Sequence, residues 1–241
     1  IDSIEIINRK PGRKILELGG GNNPIVRPKC RGGEDVNVDV QYFNGPDGLP
    51  TVDFTADFNE PLPVGSGEFD CVISRFCIEH LSWRKVKQFV AEVFRVVKPG
   101  GLAIIVTANT EAQFKYIKDH PEGWDGQGPF ESFSCVLFGG QDYSGNFHAC
   151  YMDPDLATRL FADAGFSSVT VSPFGIAQTD MLIQCSKSLV PDTEEEICRL
   201  LLTEHGVNAN GKLVRKIGDF VAVADTPEEL ASEVAKIEKM A

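Results

Sequence analysis

An apolar run, Lys14-Ile15-Leu16-Glu17-Leu18, leads directly into Gly19-Gly20-Gly21-Asn22-Asn23-Pro24. No other stretch constrains the chain as much. Glycines just after a strand let the backbone turn sharply and let a ligand approach the main chain closely. A strand, a glycine turn and a helix form a general nucleotide-binding device, so the run by itself predicts an α/β sheet with a site at the turn. A dinucleotide fingerprint needs G-x-G-x-x-G, with the third glycine for tight helix packing and the helix N-terminus facing a pyrophosphate. Here Pro24 follows the two asparagines and the third glycine is absent.

The rest of the chain repeats the strand pattern. Lys14–Leu18, Val36–Val40, Asp53–Phe58, Phe69–Ser74 and Leu102–Thr107 are short runs rich in Val and Ile, bounded by Gly, Pro or Asp, and each predicts a strand. Between the fourth and fifth lies Trp83–Val97. Its Val86, Phe89, Val90, Val93, Phe94 and Val97 recur at three- and four-residue spacing, which predicts an amphipathic helix. Lys98-Pro99-Gly100-Gly101 is expected to end it. Strands alternating with helices imply βαβ units, a parallel sheet and right-handed crossovers. Asp155–Ala164 reads as a further helix closed by Gly165, and Val169–Val171 and Met181–Cys185 as two last strands.

Three stretches stand outside this rhythm. Residues 1–12 read as a lead-in helix or turn ending at Pro11-Gly12. Residues 109–153 are aromatic and Gly-rich, with Phe114, Tyr116, Trp124, Phe130, Phe133, Phe138, Tyr143, Phe147 and Tyr151, and read as a substrate-side insertion or lid. Residues 189–241 read as an appended, mainly helical extension. Thr193 with Glu196, and Thr226-Pro227-Glu228-Glu229, are capping-box signatures. The expected division is therefore 1–188 and 189–241.

Charge narrows the partners. The formal net charge of -12 disfavours bulk DNA or RNA. The seven cysteines, Cys30, Cys71, Cys77, Cys135, Cys150, Cys185 and Cys198, are odd in number and show no C-x-x-C pair. They read as free thiols in a reducing, cytoplasmic setting. No run is apolar enough over a sufficient length to predict a membrane span or a signal peptide. The chain begins at Ile1 rather than Met, which leaves open whether residues precede it. The oligomeric state is also open, a homodimer included.

Acids punctuate the strand ends. Glu17 would meet a pyrophosphate unfavourably but suits a ligand with a cationic amino group and a sulfonium. Asp39 ends the second predicted strand, and an acid about 20 residues past the turn is placed to accept hydrogen bonds from ribose hydroxyls. Asp57 ends the third and is placed to reach an adenine amino group, with Asp53 a competing candidate. Open α/β sheets bind ligands in the crevice at the carboxyl ends of their strands.

Taken in order, these motifs resemble the class I S-adenosylmethionine-dependent methyltransferases over roughly residues 12–188. Glu17-Leu18-Gly19-Gly20-Gly21 looks like the family's first motif and Asn37-Val38-Asp39 like its ribose-binding acid. Phe69-Asp70-Cys71-Val72-Ile73-Ser74 followed by Ile78-Glu79-His80-Leu81 looks like its fourth strand and "EHL" turn. Arg95-Val96-Val97-Lys98-Pro99-Gly100-Gly101 looks like its "RVLKPGG" stretch. The branch most resembled is the type-11-like group, which includes predicted polysaccharide-associated methyltransferases. One departure is Val64, which stands where the family's "ADxxxLPF" has an aromatic.

The resemblance implies a Rossmann-like, mostly parallel seven-stranded sheet with helices on both faces. It implies S-adenosyl-L-methionine as cofactor and S-adenosyl-L-homocysteine as product. Glu17, Gly19, Gly20, Gly21 and Asn23 would then surround the methionine end, and Asp39, Val40 and Gln41 the ribose. Asp57 and Phe58 would flank the adenine. Arg75, Phe76 and His80, just past the fourth strand, would close over the cofactor.

Methyl transfer from a sulfonium is an in-line displacement with a neutral leaving group, so positioning carries most of the catalysis. A general base matters only where the acceptor must lose a proton. His148, in the aromatic segment, and His80 are the candidate bases, against packing, helix-entry or substrate hydrogen-bonding roles for each. No His/Cys/Asp cluster shows metal-ligand spacing, and no metal is expected. The acceptor is expected to be a small molecule or a glycan, with oxygen, nitrogen and carbon all open. The rival readings are a catalytically silent binding domain acting through 189–241, and a nicotinamide-dependent oxidoreductase, which the missing third glycine disfavours.

Overall fold

A computed structural model describes residues 12–123, 128–143, 145–175, 177–188, 206–207, 213–217 and 220–224. The chain divides into two compact units, 1–187 and 188–241. The expected lead-in segment up to Pro11 and Trp124 of the aromatic stretch lie outside the described residues, as do both capping-box helices of the extension.

The first unit is built on a seven-stranded sheet. Its strands are β1 (Ile15–Leu18), β2 (Val36–Asp39), β3 (Phe54–Thr55), β4 (Phe69–Arg75), β5 (Val97–Ala108), β6 (Ser168–Phe174) and β7 (Asp180–Ser186). They lie in the order β3-β2-β1-β4-β5-β7-β6. β1 to β5 run parallel, and β7 runs antiparallel to both β5 and β6. From β1 the chain moves outward through β2 to β3, then returns to place β4 on β1's other side. The strand order therefore reverses between β1 and β4, and a crevice opens at their carboxyl ends.

One face of the sheet is covered by α1 (Val86–Val96) and α4 (Pro154–Asp163). The periodic residues Val86, Phe89, Val90, Val93 and Val96 are buried against Leu16, Leu18, Val72 and Ile105. Fully burying side chains of this kind contributes about 1.5–3 kcal/mol each, which outweighs the modest helix propensity of valine. In α4 the Asp153 side chain accepts from the Leu156 amide and caps the first turn, and Ala157, Leu160 and Phe161 point inward.

The predicted end of the first helix needs one correction. The helix stops at Val96, and Val97 already pairs with Phe69 as the first residue of β5. Lys98-Pro99-Gly100-Gly101 is an irregularity inside that strand. The pairing jumps from Phe69↔Val97 to Cys71↔Leu102, and Gly100 takes φ +74° to absorb the extra residues.

The opposite face differs more from expectation. Its buried set is smaller: Ile15, Val26, Cys71, Ile73 and Ile104. The connection from β1 to β2 crosses there, and between residues 19 and 35 its regular structure is a single short 3-10 turn, Lys29–Arg31. Pro24 and Pro28 interrupt a helix there, and Gly33 packs so tightly that a Cβ would fall 1.8 Å from the Arg27 carbonyl oxygen. The Asp35 carboxylate stands in for part of the missing helical bonding, accepting from the Ile15 amide at 3.2 Å and the Arg27 amide at 3.4 Å.

The stretch 109–153 contains two helices not foreseen from its sequence, α2 (Thr110–Asp119) and α3 (Pro129–Phe138). Asn109 caps the first through the Ala112 amide at 3.1 Å, and Phe114 meets Phe133 across the pair at 5.7 Å between ring centres. In the second unit, the described residues are strand: β8 (Gly206–Val207), β9 (Leu213–Ile217) and β10 (Phe220–Ala224), antiparallel in the order β10-β9-β8. The β-branched content of Leu213–Ile217 and Phe220–Ala224 favours a pleated arrangement.

Candidate cofactor site

A cavity of about 580 Å³ lies at the reversal of strand order. Its size is that of a site for a cofactor-sized molecule. The turn Gly19–Asn23, the β2 end with Asp39, Val40 and Gln41, and the Asp57-Phe58 pair line it. Arg75, Phe76 and His80, from the end of β4 and the turn after it, complete this wall. Twelve of the thirteen sequence-nominated cofactor residues thus surround one space, and Glu17 is the exception.

The glycines act through backbone shape. Gly19 and Gly21 adopt φ +76° and +57°, and a Cβ on Gly20 would lie 2.4 Å from Asn37 Oδ1. The loop is pinned from outside the cavity: Asn37 Nδ2 donates to the Thr51 carbonyl at 2.7 Å, and Thr51 Oγ1 donates to the Gly21 carbonyl at 2.7 Å.

Glu17 is fully buried beneath the turn rather than in the cavity wall. One carboxylate oxygen accepts from the Ile25 and Val26 amides at 2.7 and 3.1 Å, and the other pairs with Arg75 Nη2 at 2.9 Å. Burial raises its pKa, and the Val26 amide and the Arg75 charge offset only part of that. The same Arg75 nitrogen donates to the Asn23 carbonyl at 2.9 Å. So Glu17, with Arg75, ties the far end of the loop to β1 and β4 and supports the site without lining it.

Asp39 is buried at the end of β2. Its Oδ2 accepts from the Gly21 amide at 3.0 Å and its Oδ1 from the Val40 amide at 2.7 Å. Burial raises its pKa, and these amides with that of Gln41 act against the rise. A carboxylate has about four acceptor positions, so sites are left for ligand hydroxyls. The two acids competing at the third strand separate cleanly. Asp53 is structural, accepting from the Asn37 amide at 2.8 Å and the Cys30 amide at 2.6 Å. Asp57 lines the cavity with Phe58, its Oδ1 accepting from the Asn59 amide and side chain, both at 2.9 Å.

The far wall comes from the aromatic insertion. Tyr143 and Gly145 line the cavity, and burial together with the Asp142 and Asp39 carboxylates raises the Tyr143 phenol pKa. The aromatic composition of 109–153 marked the segment in advance, but nothing in the sequence distinguished Tyr143 from its eight aromatic neighbours. Phe43 also lines the cavity and had no sequence signal.

His148 is not among the residues that line the cavity. It sits beside His80, with ring centres 5.2 Å apart at 61°. Glu79, His80 and His148 each present a ligand-capable atom within 4.8 Å of the others. No local spacing reveals this group, because His148 arrives from the insertion while Glu79 and His80 lie in the turn after β4.

Comparison with known proteins agrees with this geometry. The family model described as "Methyltransferase domain" matches residues 38–105. A ubiquinone biosynthesis O-methyltransferase of Mesorhizobium japonicum is 28% identical over 106 residues, 41% of this chain and 42% of that protein. An uncharacterized methyltransferase of Synechocystis is 27% identical over 118 residues, 43% of this chain and 50% of its own length. The chain thus spans about half the length, or less, of the curated relatives it matches. Among solved structures, a SAM-dependent methyltransferase of Archaeoglobus fulgidus aligns with a TM-score of 0.53 at 14% identity, over 77% of this chain and 90% of that one. Another, from Methanosarcina mazei, gives 0.51 at 15%, over 77% and 97%. At these identities the structural matches establish the fold.

The strand order is that of the class I methyltransferase fold, and residues 38–105 match a methyltransferase domain. The cofactor of such a domain is S-adenosyl-L-methionine. The wall described here fits it: a turn whose Gly19 and Gly21 take positive φ and whose Gly20 has no room for a side chain, a buried carboxylate with acceptor capacity to spare, and apolar Val40 and Phe58 nearby. Among the described residues, no helix is long and apolar enough to cross a membrane.

Proposed function

We propose that this chain transfers the methyl group of S-adenosyl-L-methionine to a small-molecule or glycan acceptor by in-line displacement. The observation that carries the reading is one cavity bounded on one side by the glycine turn, Asp39 and Asp57, and on the other by Tyr143 and Gly145 of the 109–153 insertion. When bound, the cofactor supplies a methyl group on a cationic sulfur that leaves neutral.

The residues then divide the work. The Gly19–Gly21 backbone takes the methionine end, and Asp39 accepts from the ribose hydroxyls. Asp57 accepts from the adenine amino group while Val40 and Phe58 hold the ring. Arg75 and Phe76 close the rim. Tyr143 and Gly145 exclude water and face the acceptor, which makes 109–153 the segment that selects it. Holding an acceptor near the methyl carbon in line with sulfur supplies several kcal/mol of the barrier, about 7–11 at best. The relatives named for O-methylation support an oxygen acceptor, and His80 is the one of the two histidines that lines the cavity where it would sit.

Two measurements test the reading. Calorimetry is expected to show S-adenosylmethionine binding by the folded chain, weakened in Asp39→Ala. Incubation with methyl-labelled cofactor and fractionated cell extract is expected to label a small-molecule or glycan fraction. A folded wild-type chain that binds no cofactor would refute the proposal.

A further inference from the structure

We infer that Glu79, His80 and His148 form a binding site for one divalent transition-metal ion of the zinc class, at the edge of the cofactor cavity. The three residues are brought together by backbone contacts, not by side-chain adjustment. The Glu79 carbonyl accepts from the Ala149 amide at 2.8 Å and the Cys150 amide at 3.3 Å. Those bonds clamp the segment carrying His148 onto the short turn Ile78–His80 that carries the other two. One ligand-capable atom from each residue then falls within 4.8 Å of the others.

The hydrogen bonds around the group set its chemistry. His80 Nδ1 lies 3.0 Å from the Phe147 carbonyl oxygen, and His148 Nδ1 lies 2.9 Å from that of Val136. A carbonyl only accepts, so each Nδ1 carries the proton and donates it. That leaves Nε2 as the nitrogen of each ring able to ligate an ion. A ring N–H given to a backbone carbonyl, with the other nitrogen free, is the outer-shell arrangement of metal-ligating histidines. Glu79 is oriented in the same manner: its Oε2 accepts from Thr107 Oγ1 at 2.9 Å, and the side chain is buried.

The donor set decides the ion. Two imidazoles and one carboxylate suit zinc, cobalt, manganese or iron, whereas magnesium and calcium prefer all-oxygen shells. Three protein ligands are the pattern of a site that keeps a further position for water or substrate. Because His80 also lines the cavity, that position is available to an acceptor offering an oxygen donor. This last step rests on the proposed methyl transfer. Ion binding itself does not.

The test uses the full chain, stripped with a chelator and then titrated with zinc, with cobalt as a spectroscopic probe. One zinc per chain is expected, with a rise in melting temperature and a cobalt ligand-field band in the visible. Glu79→Gln, which keeps the Thr107 hydrogen bond, and His148→Gln are each expected to weaken zinc binding about 10–100-fold or more and to abolish the band. S-adenosylmethionine affinity in His148→Gln should stay within about twofold, since His148 is outside the cavity wall. No zinc binding by the wild type overturns the inference. So does zinc binding that both variants retain, which would place the ion on other groups such as the thiols. Should zinc bind and depend on these residues while the cofactor does not, the methyl-transfer reading falls and the metal site stands.

Discussion

Glu17 on β1 and Arg75 at the end of β4 form an ion pair at 2.9 Å, with the carboxylate fully buried and the guanidinium reaching the cavity. Because the same carboxylate holds the Ile25 and Val26 amides, this one side chain fixes the position of the glycine turn relative to both strands. Removing it in Glu17→Ala leaves two amides and Arg75 without their acceptor. The expected cost is about 2–4 kcal/mol, below that of a wholly buried pair because Arg75 is 28% exposed. Glu17→Gln keeps an acceptor oxygen and should cost less. Chemical denaturation of both variants checks the order, and an Ala variant as stable as wild type would contradict it.

Gly20 faces Asn37 so closely that an added Cβ meets its Oδ1 at 2.4 Å and its Cγ at 2.9 Å. Gly20→Ala must therefore displace Asn37, and with it the bonds to Thr51 that pin Gly21. Overpacking of this kind costs about 1–3 kcal/mol. Gly21→Ala has open space within 4 Å and meets only the strain of φ +57°, about 1 kcal/mol. Calorimetry with S-adenosylmethionine should show the Gly20 variant to be the more impaired binder.

These two residues also mark how far the sequence could be read. The strands after Lys14, Val36, Phe69 and Leu102 follow from runs of β-branched residues between Gly and Pro, and such local patterns are visible without a structure. Twelve cavity residues were nominated, most of them through the family resemblance, whereas Phe43 and Tyr143 carried no local signal. Glu17 was misplaced for a physical reason. Whether a carboxylate before a glycine turn faces the ligand or folds under the loop depends on where residues eight and nine positions later return. Pro24, Pro28 and Gly33 leave the connection after the turn with only the short turn Lys29–Arg31, an effect that is local. The Glu79–His80–His148 group was not legible at all, since it exists only through the amides of Ala149 and Cys150.

Asp39 gives the pH dependence. Burial raises its pKa above the ordinary 3.8, so it takes up a proton at a higher pH in the folded chain than in the unfolded one. The sign for stability follows. In the window between the two values the folded state binds more protons, so this group's contribution is fully present below the unfolded pKa and is lost as pH rises through the folded one. In the proposed site the sign for binding is opposite, because only the carboxylate accepts two hydroxyls fully. Mild acidification should therefore weaken cofactor affinity while this residue favours the folded chain. In Asp39→Asn, affinity should be lower and its dependence on pH flatter over that range. A profile identical in shape to wild type would remove Asp39 from the ribose site.

Phe76 sets stability against binding in a different manner. It adopts φ +48°, a left-handed conformation that a bulky side chain occupies at a cost of about 1–2 kcal/mol, yet its ring lines the cavity and is half exposed. Its amide donates to the Val106 carbonyl at 2.8 Å, which holds the backbone in place whatever the side chain. Phe76→Ala removes the ring and keeps the strain. Phe76→Gly removes both, with some loss to the greater freedom of the unfolded chain. The Gly variant is therefore expected to be more stable than the Ala variant, by about 1 kcal/mol in denaturant titrations. Both should bind S-adenosylmethionine more weakly than wild type and by similar factors, since both lack the ring. An Ala variant that is the more stable of the two would show that the turn relaxes on truncation and stores no strain. Undiminished cofactor affinity in both would remove Phe76 from the binding wall.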